Sequence, residues 1–392
     1  MRRVAFLLHA ASPHQISGGE KSLVELAAGS AREGVDSLVV GPCPGRSMER
    51  ARSAGVETVV RKCRMLWLSH PTRMPAWEAV LRTLIFFTGW PALFRLRSLL
   101  RARQIDLVHV NGIVHVWGAL AARSAGIPVV WHVREIVGGK IRRRLLTRLA
   151  VRLADRILAV SAAVADQFGS AQDKVEVVYN GISGGDGTST RNRPRSPDSP
   201  VRIGHAGQIL PHKGQEEFIQ AAECLVGSKD HPVEFLVAGA CPRGGTLEHL
   251  RGRIRDRGLA GHVKLTGFIP DLRSFLSSLD ILAVTSTAPD PLPRVLAEGM
   301  MEGVPAVAFA TGGIPEMVQE GKTGFLVRPG DLEGLANALR LLIEDPDLRR
   351  RMGAAARSRA VELFSMGSYI RRCIGVYDDI WTSRGGRGKS AA

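Results

Sequence analysis

Ala306-Val-Ala-Phe-Ala310-Thr311-Gly312-Gly313-Ile314-Pro315-Glu316 is the stretch from which the fold is read. A short apolar run, predicted to be a strand, leaves through paired glycines into a helix. Such a turn brings backbone N–H groups up to an anion, and the helix N-terminus adds partial positive charge. The same arrangement stands near the other end of the chain. There the strand Val4–His9 precedes Ser17-Gly18-Gly19-Glu20 and a helix from about Glu20 to Glu33. One Gly-Gly turn is simple geometry; two, one in each half, suit a diphosphate held between them.

Outward from these turns the pattern is regular. Ser37–Val40, Asp106–Val110, Val129–Val133, Ile157–Ser161 and Val175–Tyr179 are further predicted strands of the first half. Val201–His205, Val233–Ala238, His262–Thr266, Ile281–Thr285 and Gly324–Val327 join Ala306–Ala310 in the second. Helices fill the gaps, which is the signature of parallel sheets covered on both faces. With 392 residues the chain is too long for one core, so two α/β domains are expected. The boundaries read as 1–182, a linker at 183–200 with almost no core-forming residue, and 201–364. The tail from Arg384 (384–392) reads as disordered. Ligands of such sheets bind at the carboxyl ends of the strands, here in an interdomain cleft.

The chain is 45% hydrophobic and 23% charged, which excludes wholesale disorder. Its apolar runs are interrupted, the longest by Arg82 and Pro91, so a membrane-spanning helix is not expected. The first residues lead into a polar turn, as a buried strand does and a signal peptide does not. Cys43, Cys63, Cys224, Cys241 and Cys373 are scattered and odd in number, which suits a cytoplasmic protein without a disulfide framework or structural zinc.

Charge is uneven. Residues 1–182 carry 26 Lys and Arg against 13 Asp and Glu, whereas residues 183–392 carry 27 against 24. A first half at net +13 implies an anionic partner. In Lys140–Arg156 the residues Ile141, Leu145, Leu149 and Leu153 share one side of a predicted helix, with Arg144, Arg148, Arg152 and Arg156 on the adjacent stripe. That helix either packs with a solvated basic face or rests on anionic headgroups. Arg64–Gln104 mixes Trp67, Trp77, Phe86, Phe87, Trp90 and Phe94 with Arg73, Arg82, Arg95, Arg97, Arg101 and Arg103, which suits a membrane interface or ordinary packing alike. No nucleic-acid-binding signature accompanies the charge.

Three further motifs carry chemistry. Gly207-Gln208-Ile209-Leu210-Pro211-His212-Lys213-Gly214 follows a strand, and Lys213 is either a phosphate-reaching point charge or a solvated surface lysine. Asp290 lies at the mouth of a helix starting near Pro291 to Pro293, with Glu298 one to two turns in. A buried carboxylate there needs donors such as ribose hydroxyls; the bland alternative is an N-cap and an unrelated glutamate. His132 stands in Trp131-His-Val-Arg-Glu135.

The order SGGE, HVRE, Asn180-Gly181, G-x-x-x-x-x-K-G, carboxylate-x7-Glu, GGIPE and GKTGFLV resembles the retaining glycosyltransferases of family four. The resemblance runs from about Val4 to near Trp381 and is most specific from Gly207 to Pro329. It implies the GT-B fold of two facing Rossmann-like, doubly wound domains, with a C-terminal helix (about 365–383) crossing back onto the first. The donor domain would be the second and the acceptor domain the first. By resemblance Gly18 and Gly19 approach the donor diphosphate, Lys213 neutralises it, and Glu298 binds the ribose hydroxyls. Asp290 lies near the donor sugar, His132 positions that sugar, and Gly312 and Gly313 present N–H groups to sugar and phosphates. Two departures stand out: Gln208 where the family usually has Arg, and Asp290 where it usually has Glu. Arg294 or Arg202 would be the candidates to replace the missing charge.

No Cys-x-x-Cys pair occurs and no metal-ligating cluster is read, so neither metal nor other cofactor is expected. Departure of the nucleoside diphosphate would then rest on Lys213 and backbone N–H groups. The resemblance implies transfer with retention, no protein nucleophile, and a departing phosphate that helps deprotonate the acceptor. The donor would be a UDP- or GDP-linked sugar. The acceptor would be a glycan or a polyprenyl-diphosphate-linked or phospholipid acceptor, met by Arg144, Arg148 and Arg152 at the anionic inner face of the cell membrane. Cell-surface polysaccharide or glycolipid synthesis is the implied setting. Alternatives are a nucleotide-sugar epimerase on the same fold and a non-catalytic scaffold in polysaccharide assembly.

Overall fold

The computed structural model describes residues 2–9, 16–63, 88–184, 199–226, 232–241 and 244–388. The chain divides into two compact units, Met1–Gly181 with Met366–Ala392, and Ile182–Ser365. Most of the linker expected at 183–200 lies outside the described residues, as do Trp67, Trp77, Phe86 and Phe87 of the aromatic-basic segment.

In the first unit the strands are β1 (Arg3–Leu7), β2 (Asp36–Gly41), β3 (Glu57–Val60), β4 (Leu107–Asn111), β5 (Val129–Val133), β6 (Arg156–Ala159) and β7 (Val175–Val177). They form one parallel sheet in the order β3-β2-β1-β4-β5-β6-β7. The edge strand β3 was not among the predicted strands. Its Glu-Thr-Val-Val is no apolar run, and none of its residues is buried among the described residues.

The helix Gly18–Arg32 begins in a reciprocal cap. Ser17 Oγ accepts the Glu20 N–H at 3.3 Å, and Glu20 Oε2 accepts the Ser17 N–H at 2.8 Å. The other Glu20 oxygen accepts from Ser47 Oγ at 2.9 Å, so this buried carboxylate is paired on both sides. Leu23, Leu26 and Ala27 turn inward against Val4 and Phe6 of β1.

The last helix, Met366–Gly388, belongs to this first unit. Tyr369, Cys373, Tyr377 and Ile380, spaced by three or four, form one buried side that covers Leu107, Val130 and Leu158 of the sheet. Gly29 makes the approach possible, since a Cβ there would lie 2.2 Å from Ile370 Cδ1. Of the tail expected to be disordered from Arg384, residues 384–388 are helical instead, and 389–392 lie outside the described residues. Arg384 donates to Asp155 Oδ1 at 2.8 Å and to the Gly126 carbonyl at 3.2 Å, which ties down the last turns.

The basic helix is also shorter than 140–156. It spans Lys140–Leu153, and Arg156 opens β6. Its inward face is Leu146, Thr147 and Ala150, not the stripe of every-fourth leucines. Ile141 and Leu145 are 79% and 63% exposed, because a period of four drifts round a helix of 3.6 residues per turn.

The second unit contains β8 (Val201–Ala206), β9 (Val233–Ala238), β10 (Val263–Gly267), β11 (Ile281–Val284), β12 (Ala306–Phe309) and β13 (Gly324–Val327). They form a parallel sheet in the order β10-β9-β8-β11-β12-β13. The helices Gln215–Leu225 and Leu332–Glu344 bury Phe218, Leu335, Leu339 and Leu342 against Ile203, Phe235 and Val237. In both sheets the winding reverses once, at β1/β4 and at β8/β11. Those reversal points open the crevices in which such sheets hold ligands.

Candidate active site

At the β8/β11 reversal the chain leaves β8 through Gly207 and Gln208 and is pinned by Ile209, which is buried. A single turn, Pro211–Lys213, then leads through Gly214 to the helix Gln215–Leu225. His205 Nε2 donates to the Lys213 carbonyl at 3.0 Å, and burial lowers this imidazole to about 4, so it is neutral. Thr285 Oγ1 donates to the Gly214 carbonyl at 2.6 Å, and the Thr287 N–H donates to the His212 carbonyl at 3.0 Å. The lysine loop is therefore stapled to the exit of β11. Gly214 sits at φ +76°, and a Cβ there would lie 1.7 Å from the Thr285 carbonyl oxygen.

That staple places Lys213 on Asp290. Lys213 Nζ lies 2.6 Å from Asp290 Oδ2, with Ser286 Oγ at 3.5 Å from the same oxygen. Asp290 is buried, whereas the Lys213 side chain is 30% exposed. The glycine pair packs on the same residue. The Gly313 N–H donates to the Asp290 carbonyl at 2.8 Å, and a Cβ on Gly312, at φ +58°, would lie 2.0 Å from that oxygen. Lys213, Asp290, Gly312 and Gly313 thus converge on one spot. Gln208 is exposed beside it, and its carbonyl accepts from Gln215 Nε2 at 2.9 Å.

Glu298 is half-buried on the helix Arg294–Met301 and pairs with Arg294 one turn away, at 3.0 Å. This corrects two expectations. Arg294 is engaged by Glu298 with only 10% of its side chain exposed, and so is not a free replacement for an arginine at 208. Arg202 lies at the opposite end of β8, paired with Glu234 at 2.8 Å and some five residues, about 16 Å, from the loop.

The first unit builds a second cluster at the β1/β4 reversal. Asn111 ends β4 and is in register with His132 on β5. Besides His132, Arg134 binds Asn111 Oδ1 at 2.5 Å, Asn180 Oδ1, and Tyr369 Oη at 3.0 Å. Asn111 Nδ2 in turn reaches the Gly19 carbonyl at 3.3 Å, and Gly19 leaves room for Arg134, whose Cδ would be 3.3 Å from a Cβ there. Gly18, exposed, and Gly19 open the helix above this cluster.

His132 is fully buried. Its Nδ1 lies 3.2 Å from His109 Nε2 and 3.3 Å from Arg134 Nη2, while its Nε2 has no hydrogen-bond partner among the described residues. Burial first, then the Arg134 charge, holds its pKa well below the ordinary histidine range. His109 is lowered to about 3 by the same causes. Glu135 accepts the Ile113 N–H at 3.0 Å and the Arg134 N–H at 3.1 Å, and burial raises its pKa.

Sequence reasoning missed Arg134, Asn111, His109, Tyr369 and Tyr377. A signal existed for two of them: Asn111 and His109 alternate onto one face of β4. The tyrosines come from a helix more than 230 residues further on, and no local spacing announces that. Arg144, Arg148 and Arg152 are exposed on the basic helix, away from these contacts.

Two doubly wound parallel sheets, each with a polar cluster at its reversal point, define the GT-B class. Family profiles agree along nearly the whole chain: "Glycosyltransferase Family 4" matches residues 16–183 and "Glycosyl transferases group 1" matches residues 187–359. The chain belongs to this glycosyltransferase family. It is 28% identical over 236 residues to alpha-D-kanosaminyltransferase of Streptomyces kanamyceticus, covering 60% of this chain and 57% of that protein. It is also 28% identical over 324 residues to D-inositol 3-phosphate glycosyltransferase of Nocardioides sp., covering 72% and 70%. Anabaena Alr3699/HepE, crystallised with UDP and glucose, superposes with a TM-score of 0.77 at 24% identity, over 96% of this chain and all of that one.

Proposed function

We propose that this protein transfers a sugar, with retention, from a UDP- or GDP-linked donor to a glycan or polyprenyl-diphosphate-linked acceptor at the inner face of the cell membrane. The observation that carries the reading is the Lys213–Asp290 pair at the β8/β11 reversal, with Glu298 on the helix that follows. A lysine 30% exposed is free to swing, and a diphosphate offers it more negative charge than one carboxylate does. Asp290, thereby released and buried, takes hydrogen bonds from sugar hydroxyls, and Glu298 takes them from the ribose. The departing diphosphate is stabilised by Lys213 and the Gly312-Gly313 turn without proton transfer from the protein. His132, neutral and buried, is suited to positioning the sugar.

A membrane-bound acceptor is supported by the first unit. The helix Trp90–Ala102 leads into β4, so its first turn lies at the carboxyl edge of the sheet; the helix Lys140–Leu153 starts from the carboxyl end of β5 and shares that edge. Trp90 and Phe94, stacked edge to face, and Ile141 and Leu145 are all exposed there among arginines. No helix among the described residues is long and apolar enough to cross a membrane. The anionic acceptor named for the Nocardioides relative, an inositol phosphate, is also in keeping with a basic first half. The test is calorimetric titration with UDP, GDP, ADP and their sugar conjugates, beside Glu298→Ala. Saturable binding of one nucleotide, lost in the variant, supports the reading; a folded protein that binds none refutes it.

A further inference from the structure

Four side chains of the first unit form a line whose proton positions can be deduced from one end. We infer that Arg134, His109 and Tyr377 fix His132 with its single ring proton on Nε2, so that it presents an N–H donor to an oxygen of the transferred sugar; the sugar as ligand rests on the glycosyltransferase reading above.

The deduction starts from Arg134, which can only donate. Its Nη2 lies 3.3 Å from His132 Nδ1, so that nitrogen holds a lone pair. His109 Nε2, 3.2 Å from the same nitrogen, must then carry a hydrogen. With its one proton so placed, His109 Nδ1 is bare and accepts from the Tyr377 hydroxyl at 2.8 Å. The line runs Tyr377 O–H to His109 Nδ1, then His109 Nε2–H to His132 Nδ1, and leaves the His132 proton on Nε2. The opposite polarity would aim an imidazole N–H at a guanidinium N–H. Burial pushes the Tyr377 hydroxyl well above its usual value, so it keeps the proton it donates.

The far end of the line is the informative one. His132 Nε2 is buried with no hydrogen-bond partner among the described residues, although folded chains almost always satisfy such a group. Three residues, from β4, the exit of β5 and the returning C-terminal helix, are thus spent on aiming one unpaired N–H. Because Nε2 already carries its proton, His132 at this nitrogen is a hydrogen-bond donor and not a base. His109 and Tyr377 are positioning residues, acting through His132.

Ring nitrogen NMR of the 15N-histidine-labelled full chain tests the proton assignment without any ligand. The expected His132 signal, assigned by its loss in His132→Gln, shows Nε2 protonated and Nδ1 bare at pH 7. A protonated Nδ1 would overturn the inference outright. Tyr377→Phe, His109→Phe and His109→Gln then test its use. Titration with UDP and GDP should give unchanged affinity in all three, since the line touches the sugar and not the nucleotide. Turnover of UDP-glucose or GDP-mannose, read as slow hydrolysis, should fall about tenfold in kcat/KM for Tyr377→Phe and His109→Phe, the loss of one well-placed hydrogen bond. His109→Gln, whose amide nitrogen can donate from near the Nε2 position, should recover most of it. Equal kcat/KM in wild type and both Phe variants, with melting temperatures unchanged, would overturn the role. If wild type binds neither nucleotide, the glycosyltransferase reading fails, and the NMR result alone decides the proton line.

Discussion

Gly214→Ala puts the construction of the donor site to a direct test. The residue is in the left-handed region at φ +76°, where an L side chain costs about 1 kcal/mol. Its new Cβ would lie 1.7 Å from the Thr285 carbonyl oxygen and 2.5 Å from the carbonyl carbon. No rotamer relieves that contact, because both partners are backbone. The turn Pro211–Lys213 must therefore move by roughly 2 Å to restore van der Waals separation. That movement gives up the Thr285 Oγ1–Gly214 and Thr287–His212 hydrogen bonds, each worth about 1 kcal/mol. The sum is about 3 kcal/mol, or a fall of about 6–12 °C in the melting of a unit this size. Lys213 precedes Gly214 directly, so the same shift carries its ammonium off Asp290 and weakens nucleotide binding. Differential scanning calorimetry and UDP or GDP titration would measure both effects. Gly252→Ala is the control: its Cβ would meet open space inside a helix, and the substitution should be neutral or stabilising. A Gly214→Ala protein that melts within 2 °C of wild type and binds nucleotide unchanged would refute the reasoning.

Other expectations follow from the same contacts. Glu298→Ala should weaken nucleotide binding about 10- to 100-fold by removing the acceptor for ribose hydroxyls, and calorimetry with UDP and GDP reads it. Lys213→Ala should lower the affinity for a nucleoside diphosphate about tenfold while leaving the much weaker nucleoside nearly unchanged; equal losses for both would sink the assignment. Arg144, Arg148 and Arg152 changed together to Glu should abolish sedimentation with phosphatidylserine vesicles, and 0.5 M salt should do the same to wild type. Acid should destabilise the protein through its buried histidines. His109 is held at about 3, and His115 and His205 at about 4, against about 6.5 unfolded. The unfolded chain binds protons that these folded sites refuse, so stability is complete above about pH 6.5 and is lost on the way down to 4. Each site contributes up to about 3 kcal/mol of that loss. A melting temperature that stays level from pH 7 to 4.5 would contradict it.

Much of the fold was legible because most of its strands are rich in apolar residues. All six strands of the second sheet stand where the sequence placed them, within a residue or so; most are buried parallel strands with few polar positions, and β10, which alternates buried and exposed residues, is the exception. The miss was β3, an edge strand of four residues, Glu-Thr-Val-Val, too short and too polar at its start to read as an apolar run. The basic helix was misjudged in its inward face because Leu149 and Leu153 look like core by spacing, yet the helix turns Thr147 and Ala150 inward instead. Of the candidate site, Lys213, Asp290, Glu298 and the glycines were visible as motifs, each at a strand exit. What no motif contained was which cation meets which carboxylate. Nor did any spacing show that Tyr369 and Tyr377, from the end of the chain, complete a cluster begun at Gly19 and Asn111. Those are tertiary facts, fixed by the crossing of the last helix.

The two pairs at the β8/β11 reversal bear on the departures from the family pattern. Gln208 removes a positive charge, and Asp290 shortens a carboxylate by one methylene. Yet the cations nearby are not equivalent. Arg294 is locked to Glu298 within one helix, both side chains nearly covered, and moving it would strand a half-buried carboxylate. Lys213 reaches Asp290 from a separate loop, is 30% exposed, and leaves Asp290 next to Ser286 when it swings away. The reach that Asp290 lacks is supplied by the stapled loop, which brings the lysine to it. On the glycosyltransferase reading the diphosphate therefore draws on Lys213 alone among these cations, and the carboxylate it vacates becomes an acceptor for a sugar hydroxyl in the same step. Charge lost at 208 is then not replaced but concentrated on one lysine. Donor affinity should accordingly be more sensitive to Lys213 than to either arginine.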